Sequence, residues 1–383
     1  MKKPAPVPLC LLLVLVITST ACMMGCGGNN ATSSSAGSTD TTSPSASYFG
    51  TQSPGDAWSW TITRDSSGRG TFSAVNNTSG NTYSGTVVTL PNNFLQLTIT
   101  ATTDSSLVVG GNNATAYAIE FPNTALIVKP AGYNIAPVIA AAQGACPSPA
   151  SYNWIKMPHG SWNVATDPAF GTAATTGSAS DLTFSIASYL LGGTVADNTV
   201  LAGFSCSNGI IQSTLANMPV FGMTPSGVFI GDQGSDGGVI GMLQPQANIG
   251  SSAVLQPGRQ FRGFIFMTHP PNGPDGATPV DKTQAIWGHT ANNLINAGEY
   301  TNFASGTEDS CPAGDSCAIL SLDSEVAPGE FAGTMIDNHA GAHPFTLSIN
   351  QINGKYIVFG FSREQAGSDP NALYPYLLAV MEQ

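Results

Sequence analysis

Apolar and polar residues alternate with a period of two at many places along the chain. Trp58, Trp60 and Ile62 alternate with Ser59, Thr61 and Thr63, and Leu95, Leu97 and Ile99 with Gln96, Thr98 and Thr100. The same pattern recurs at Leu182, Phe184 and Ile186, and at Phe345, Leu347 and Ile349. Successive side chains on a strand point to opposite faces, so each run predicts a strand with one face on a core and the other in water. Turn chemistry separates the runs. Asn353-Gly354 stands between Phe345–Gln351 and Tyr356–Phe361 and suits the positive φ angles of a type I′ turn. Ser66-Ser67-Gly68, Thr78-Ser79-Gly80, Pro91-Asn92-Asn93 and Gly234-Ser235-Asp236-Gly237 mark further reversals. Many short strands at such spacing predict an all-β protein of antiparallel meanders, built as sandwich- or barrel-like domains. Ile135–Gln143 and Thr290–Ala297 are the two stretches read as short helices.

Gln244–Gly258 is polar and rich in turn formers, and it sets a boundary between a β-rich domain at 48–250 and a second at 251–383. Ala145–Ala150 is a further break, with Cys146 tying it to the segment after it. Charged residues are 9% of the chain, against roughly 25% in an average domain, which excludes a coiled coil. A hydrophobic content of 42% excludes wholesale disorder. Lys and Arg total 11 against 23 Asp and Glu, for a net charge of -12. Phosphate backbones attract clusters of Lys and Arg; none is present, so nucleic acid is not an expected partner.

The N-terminus reads as an address. Lys2 and Lys3 precede an apolar run, Leu9–Ile17, of secretory-signal length and shorter than the ~20 residues a spanning helix needs. Small residues and two cysteines follow, in Thr20-Ala21-Cys22-Met23-Met24-Gly25-Cys26-Gly27-Gly28. This resembles a bacterial lipoprotein signal, in which a small residue precedes a cysteine that becomes lipidated and N-terminal. The resemblance implies a signal peptide at 1–25 and a lipid on Cys26, with Cys22 the alternative. It also implies a cell-envelope, lipid-anchored membrane protein facing the periplasm or the exterior. Residues 26–47, rich in Ser, Thr and Gly, cannot bury enough apolar surface to order themselves and read as a flexible, disordered tether. The body resembles β-rich exported bacterial proteins without an assigned activity, through runs such as Gly50-Thr51-Gln52-Ser53-Pro54-Gly55-Asp56 and Asn353-Gly354-Lys355-Tyr356.

Cys10, Cys22 and Cys26 belong to the N-terminal region, which leaves Cys146, Cys206, Cys311 and Cys317. An even remainder in an exported protein predicts disulfides. Of three pairings, Cys311–Cys317 across a tight loop with Cys146–Cys206 is preferred. These thiols lack the spacing of a zinc site.

Candidate chemistry is sparse. Asp337, His339 and His343 combine a carboxylate with two imidazoles, a set that suits zinc or iron. A polar hairpin tip before a buried strand is the preferred reading, so no metal or other cofactor is expected. Asp232 and Asp236 lie in a glycine-rich loop without the acidic residue that closes an EF-hand. Glu308, Asp309 and Asp315 flank the Cys311–Cys317 loop. No nucleophile elbow, HExxH, P-loop or complete dinucleotide motif is present, so no catalytic residue is assigned. Asp323, Glu325 and Glu330 are the carboxylates a glycosidase would draw on. Trp58, Trp60, Trp154, Trp162 and Trp287 could line a sugar-binding face, though Trp58 and Trp60 share their side of a strand with Ile62 and so point to core. The reading is a non-catalytic binding or surface-structural lipoprotein, with cell-surface polysaccharide or protein as partner. The alternatives are a secreted hydrolase and a β-barrel carrier of an apolar ligand.

Overall fold

The structure is a computed structural model. It describes residues 45–52, 56–110, 114–121, 124–130, 137–146, 149–157, 168–190, 195–213, 220–223, 227–232, 238–267, 282–302, 305–308, 318–337, 341–365 and 373–383. Almost every element is a strand, and the strands close into barrels.

The first barrel contains β1 (Ser45–Gln52), β2 (Asp56–Arg64), β3 (Arg69–Asn76), β4 (Thr82–Thr89), β5 (Phe94–Thr102), β6 (Thr115–Phe121), β7 (Ala125–Lys129) and β8 (Val138–Ala142). Each strand pairs antiparallel with the next, and β8 returns to β1 through rungs such as Gly50–Ala140. The second contains β9 (Ser151–Lys156), β10 (Phe170–Ser178), β11 (Asp181–Tyr189), β12 (Val195–Ser207), β13 (Ile210–Ser213), β14 (Val220–Met223), β15 (Val228–Asp232) and β16 (Gly238–Leu243), closed by β16 on β9. The third contains β17 (Gln260–Met267), β18 (Lys282–Ala291), β19 (Leu294–Asn302), β21 (Ala318–Ala327), β22 (Glu330–Asp337), β23 (Gly341–Ile352), β24 (Lys355–Gln365) and β25 (Leu373–Glu382). It closes where β17 pairs with both β18 and β25. β20 (Thr307–Glu308) pairs with β19 outside this ring. With β18, at the end of the strand order, pairing also with β19, the described residues form three eight-stranded up-and-down barrels that follow one another in the chain.

The stretch 48–250 contains two barrels and 251–383 one. Gln244–Gly258 lies between the second and third, and Ala145–Ala150 between the first and second. β1 begins at Ser45, inside the stretch read as tether.

The turns form where turn chemistry required them. Asn353 and Gly354 take φ of 51° and 79° and join β23 to β24 as a two-residue hairpin. Both short helices read from the sequence are strands instead. Within Ile135–Gln143, Val138–Ala142 is β8, and all its residues are buried. A strand buried on both faces shows no alternation, so its apolar run mimics a helix. Thr290–Ala297 is a hairpin whose tip, Asn292 and Asn293, takes φ of 54° and 60°. The single described α-helix, α1 (Ser251–Val254), is four residues long.

Each barrel has its own interior. Trp58, Trp60, Ile62, Phe72, Leu95 and Leu97 fill the first; Tyr152, Trp154, Phe184, Phe204 and Phe229 fill the second. Phe261, Phe331, Phe345, Leu347 and Val358 fill the third, together with Val254 and Leu255 from α1 and the residue after it. A further apolar cluster belongs to the outside of all three. It contains Phe94, Phe121 and Ile139 from the first barrel, Ile155, Ile230 and Ile240 from the second, and Phe264, Trp287 and Phe359 from the third. Phe94 meets Phe264 edge to face, 5.7 Å between ring centroids. Polar contacts flank this shared wall. Asn153 Nδ2 donates to the Pro328 carbonyl at 2.7 Å, and Asn350 Nδ2 to the Leu243 carbonyl at 2.6 Å. Residues 43–383 accordingly form one compact unit.

Cys146, in the segment between the first two barrels, is bonded to Cys206 on β12, with Cα atoms 5.7 Å apart. Cys311 and Cys317 lie outside the described residues, as do Cys22, Cys26 and the rest of residues 1–44.

Candidate functional site

An eight-stranded barrel has an interior just wide enough for side chains to fill or for one small ligand. The second interior is filled to within a cavity of about 80 Å³. In the third, α1 contributes to the core, and Glu325 holds the approach to α1 by accepting the backbone N–H groups of Ile249 at 2.8 Å and Gly250 at 2.7 Å. The first barrel keeps a cavity of about 410 Å³.

That barrel is built as a cup. At its closed end Glu120 on β6 receives both the Tyr48 hydroxyl and the Arg64 guanidinium. Tyr48 and Glu120 are buried, and burial pushes the Tyr48 hydroxyl well above its ordinary pKa, opposed in part by Arg64. Aromatic rings line the middle. Trp58 and Trp60 project inward from β2; Trp60 stacks on Phe72, and Trp58 meets Tyr83 at a tilt. At the mouth the lining turns polar, with Gln52, Asp56, Asn76, Asn81, Asp104 and Ser106.

These rim groups are held in place. Trp58 Nε1 donates to Gln52 Oε1 at 3.0 Å, Asn76 Nδ2 to Asp56 Oδ2 at 2.9 Å, and the Tyr83 hydroxyl to Asp104 Oδ2 at 2.8 Å. The hydroxyl and backbone N–H of Ser106 also donate to Asp104, and they hold its carboxyl below the usual carboxylate range. Burial, reinforced by the bond to Asp104, raises the Tyr83 hydroxyl. The buried Trp60 Nε1 has no hydrogen-bond partner among the described residues. Among the described residues, two carboxylates and no Lys, Arg or His line the cavity, so an anionic ligand is disfavoured. The cavity can stack a flat apolar face and hydrogen-bond a polar edge.

The other candidates do not assemble. His343 is buried on β23, Asp337 ends β22, and His339 lies outside the described residues. Among the described residues no three His, Cys, Asp or Glu side chains come together to hold a metal ion. Asp232 ends β15, while Asp236, Asp309, Asp315 and Trp162 lie outside the described residues. Glu308 bridges Arg262 at 2.6 Å and His289 at 3.1 Å, so its charge is already matched. Of the carboxylates a glycosidase would need, Glu325 is spent on backbone N–H groups, whereas Asp323 and Glu330 line one groove between the second and third barrels. Tyr83, Asn76 and Asp104 are cup residues that sequence reasoning missed. Their local signals are those of ordinary turns and strand ends.

Neither a family model nor a curated protein sequence matches the chain. Among solved structures it is similar to the isotype 1 transferrin binding protein B from serogroup B Neisseria meningitidis, at 11% identity over 86% of this chain and 66% of that one, with a TM-score of 0.29. So low a TM-score carries neither fold nor function across, and the all-β barrel architecture stands on the strand pairing itself.

Proposed function

We propose that this chain is a non-catalytic binding lipoprotein of the cell envelope, anchored through a lipid on Cys26, whose first barrel takes a small neutral saccharide. The observation that supports it is the cup: about 410 Å³, inside the range of small-molecule sites, with stacked aromatic rings below a polar rim. A sugar presents a C–H face that stacks on indole and hydroxyl edges that pair with Asp, Asn and Gln. The secretory-type run and the cysteine after Gly25 support the anchor.

Calorimetric titration of the full chain with neutral mono- and disaccharides tests the reading. Saturable binding weakened at least about tenfold by Trp58→Ala is expected, a change of about 1.4 kcal/mol. Binding of fatty acids in place of sugars would return the apolar carrier, and turnover of a glycan would return the hydrolase. Labelling with palmitate tests the anchor: it should vanish in Cys26→Ser, whereas loss only in Cys22→Ser moves the lipid to the earlier cysteine.

A further inference from the structure

The groove between the second and third barrels contains a carboxyl group that has no partner among the described residues. Phe331 and Met335 turn into the third barrel, so alternation points Glu330, Ala332 and Thr334 outward from β22. Outward here is not bulk water. Phe170 and Thr172 on β10 and Tyr189 on β11 contribute to the same groove, which encloses about 620 Å³. Glu330 is only 7% exposed. Among the described residues, no hydrogen bond or ion pair reaches its carboxyl group. Burial pushes that carboxyl above its ordinary pKa.

The rest of the lining is acidic or aromatic. Asp323 accepts the Ser321 hydroxyl at 2.6 Å on one oxygen and the Thr334 hydroxyl at 2.7 Å on the other. Tyr189 stacks on Phe170, with centroids 5.5 Å apart and planes 19° from parallel. Among the described residues, Asp323 and Tyr189 are the other titratable groups in the lining, and no Lys, Arg or His joins them.

We propose that this groove is a subsite for a small organic cation, an alkylammonium or alkylguanidinium, whose charge pairs with Glu330 and whose apolar stem lies against Phe170 and Tyr189. An unpaired buried carboxylate is costly, and a cation that brings its own charge relieves that cost. The aromatic rings of the same lining give the stem an apolar surface to cover. Guanidinium also matches a carboxylate with two parallel hydrogen bonds. Asp323, on the neighbouring strand β21 of the same wall, adds a second negative charge to the lining. Both its oxygens are occupied by hydroxyls, which makes it a fixed counter-charge rather than a free base.

The subsite is independent of the saccharide cup, and the test keeps them apart. The full chain is titrated calorimetrically with n-butylammonium and n-butylguanidinium chlorides, with n-butanol and sodium butyrate as neutral and anionic controls of the same stem. Both cations are expected to bind, and the controls to show no saturable heat. Glu330→Gln should weaken cation binding at least about tenfold while Trp58→Ala leaves it unchanged. Equal binding of n-butanol and the cations would overturn the proposal, as would a Glu330→Gln chain that binds cations like the parent. Hydrolysis of a glycan panel that Glu330→Gln abolishes would replace the subsite with an acid–base pair formed with Asp323.

Discussion

Trp58 and Trp60 stand two residues apart on β2, and their rings stack with centroids 5.6 Å apart and planes 23° from parallel. The relationship combines two roles that usually separate. Both rings are nearly buried and fill the barrel, yet both line its cavity. Trp60, opposite Tyr48 in the ladder, lies nearer the closed end. Trp60→Ala should cost about 3–5 kcal/mol of stability, the scale for a large aromatic lost from a core. Trp58→Ala, at a site equally buried, should cost a similar amount and also lose ligand binding. Urea denaturation alongside calorimetric titration separates the two effects.

Glu120 is the keystone of the closed end. Removing it leaves the Tyr48 hydroxyl buried without its acceptor and Arg64 without its counter-charge. Glu120→Ala should destabilise the protein by about 3 kcal/mol, and Glu120→Gln, which keeps an acceptor for Tyr48, by about half of that. A drop in the urea midpoint equal for both variants would place the whole effect on the charge.

Glu330 makes stability depend on pH. Its folded-state pKa lies above the unfolded value because burial disfavours the ionised form. The folded protein therefore holds this proton more tightly than the unfolded chain. The stabilisation is complete below the unfolded carboxylate pKa and is lost as pH rises through the folded one. Glu330→Gln should be neutral to stability in acid and raise the thermal midpoint at neutral pH. Identical midpoints for parent and variant across that range would mean the carboxyl is well solvated.

The Cys146–Cys206 bond closes a loop with a sequence separation of 60. On the chain-entropy model it contributes about 4 kcal/mol. Replacing both cysteines by serine should lower the denaturation midpoint accordingly. Mass spectrometry of the denatured, unreduced chain should show this pair oxidised.

How much of this was legible in the sequence depends on which faces are buried. β2, β5, β11 and β23 were readable because one face meets a barrel interior and the other faces solvent or the barrel exterior, so Trp58, Leu95, Leu182 and Phe345 each begin a clean alternation. β8 was misread because Ile139 and Ala141 face the wall shared by the barrels while Val138 and Ala140 face their own interior. Burial on both sides erases the period that identifies a strand. The number of barrels was hidden for a related reason: closure depends on pairings such as β1 with β8, distant in sequence and unmarked by any motif. The cup was half legible. Its tryptophans stood out, whereas Tyr83 and Asp104 come together from β4 and the turn after β5 only once the barrel closes. Glu330 was visible as one of three carboxylates; its isolation was not, because a missing partner leaves no trace in a sequence.

The wall shared by the three barrels bears on how such a chain can change over generations. By connectivity the barrels are beads on a string, each a run of consecutive strands that a duplication could have copied. By packing they are no longer separable. Phe94, Phe121 and Ile139 on one bead, Ile230 and Ile240 on the next, and Phe264 and Phe359 on the third each cover the others. A gene fragment encoding one barrel alone would expose a broad apolar flank and aggregate. The modules can therefore drift in their loops and cup rims, but they cannot be shuffled, deleted or borrowed one at a time.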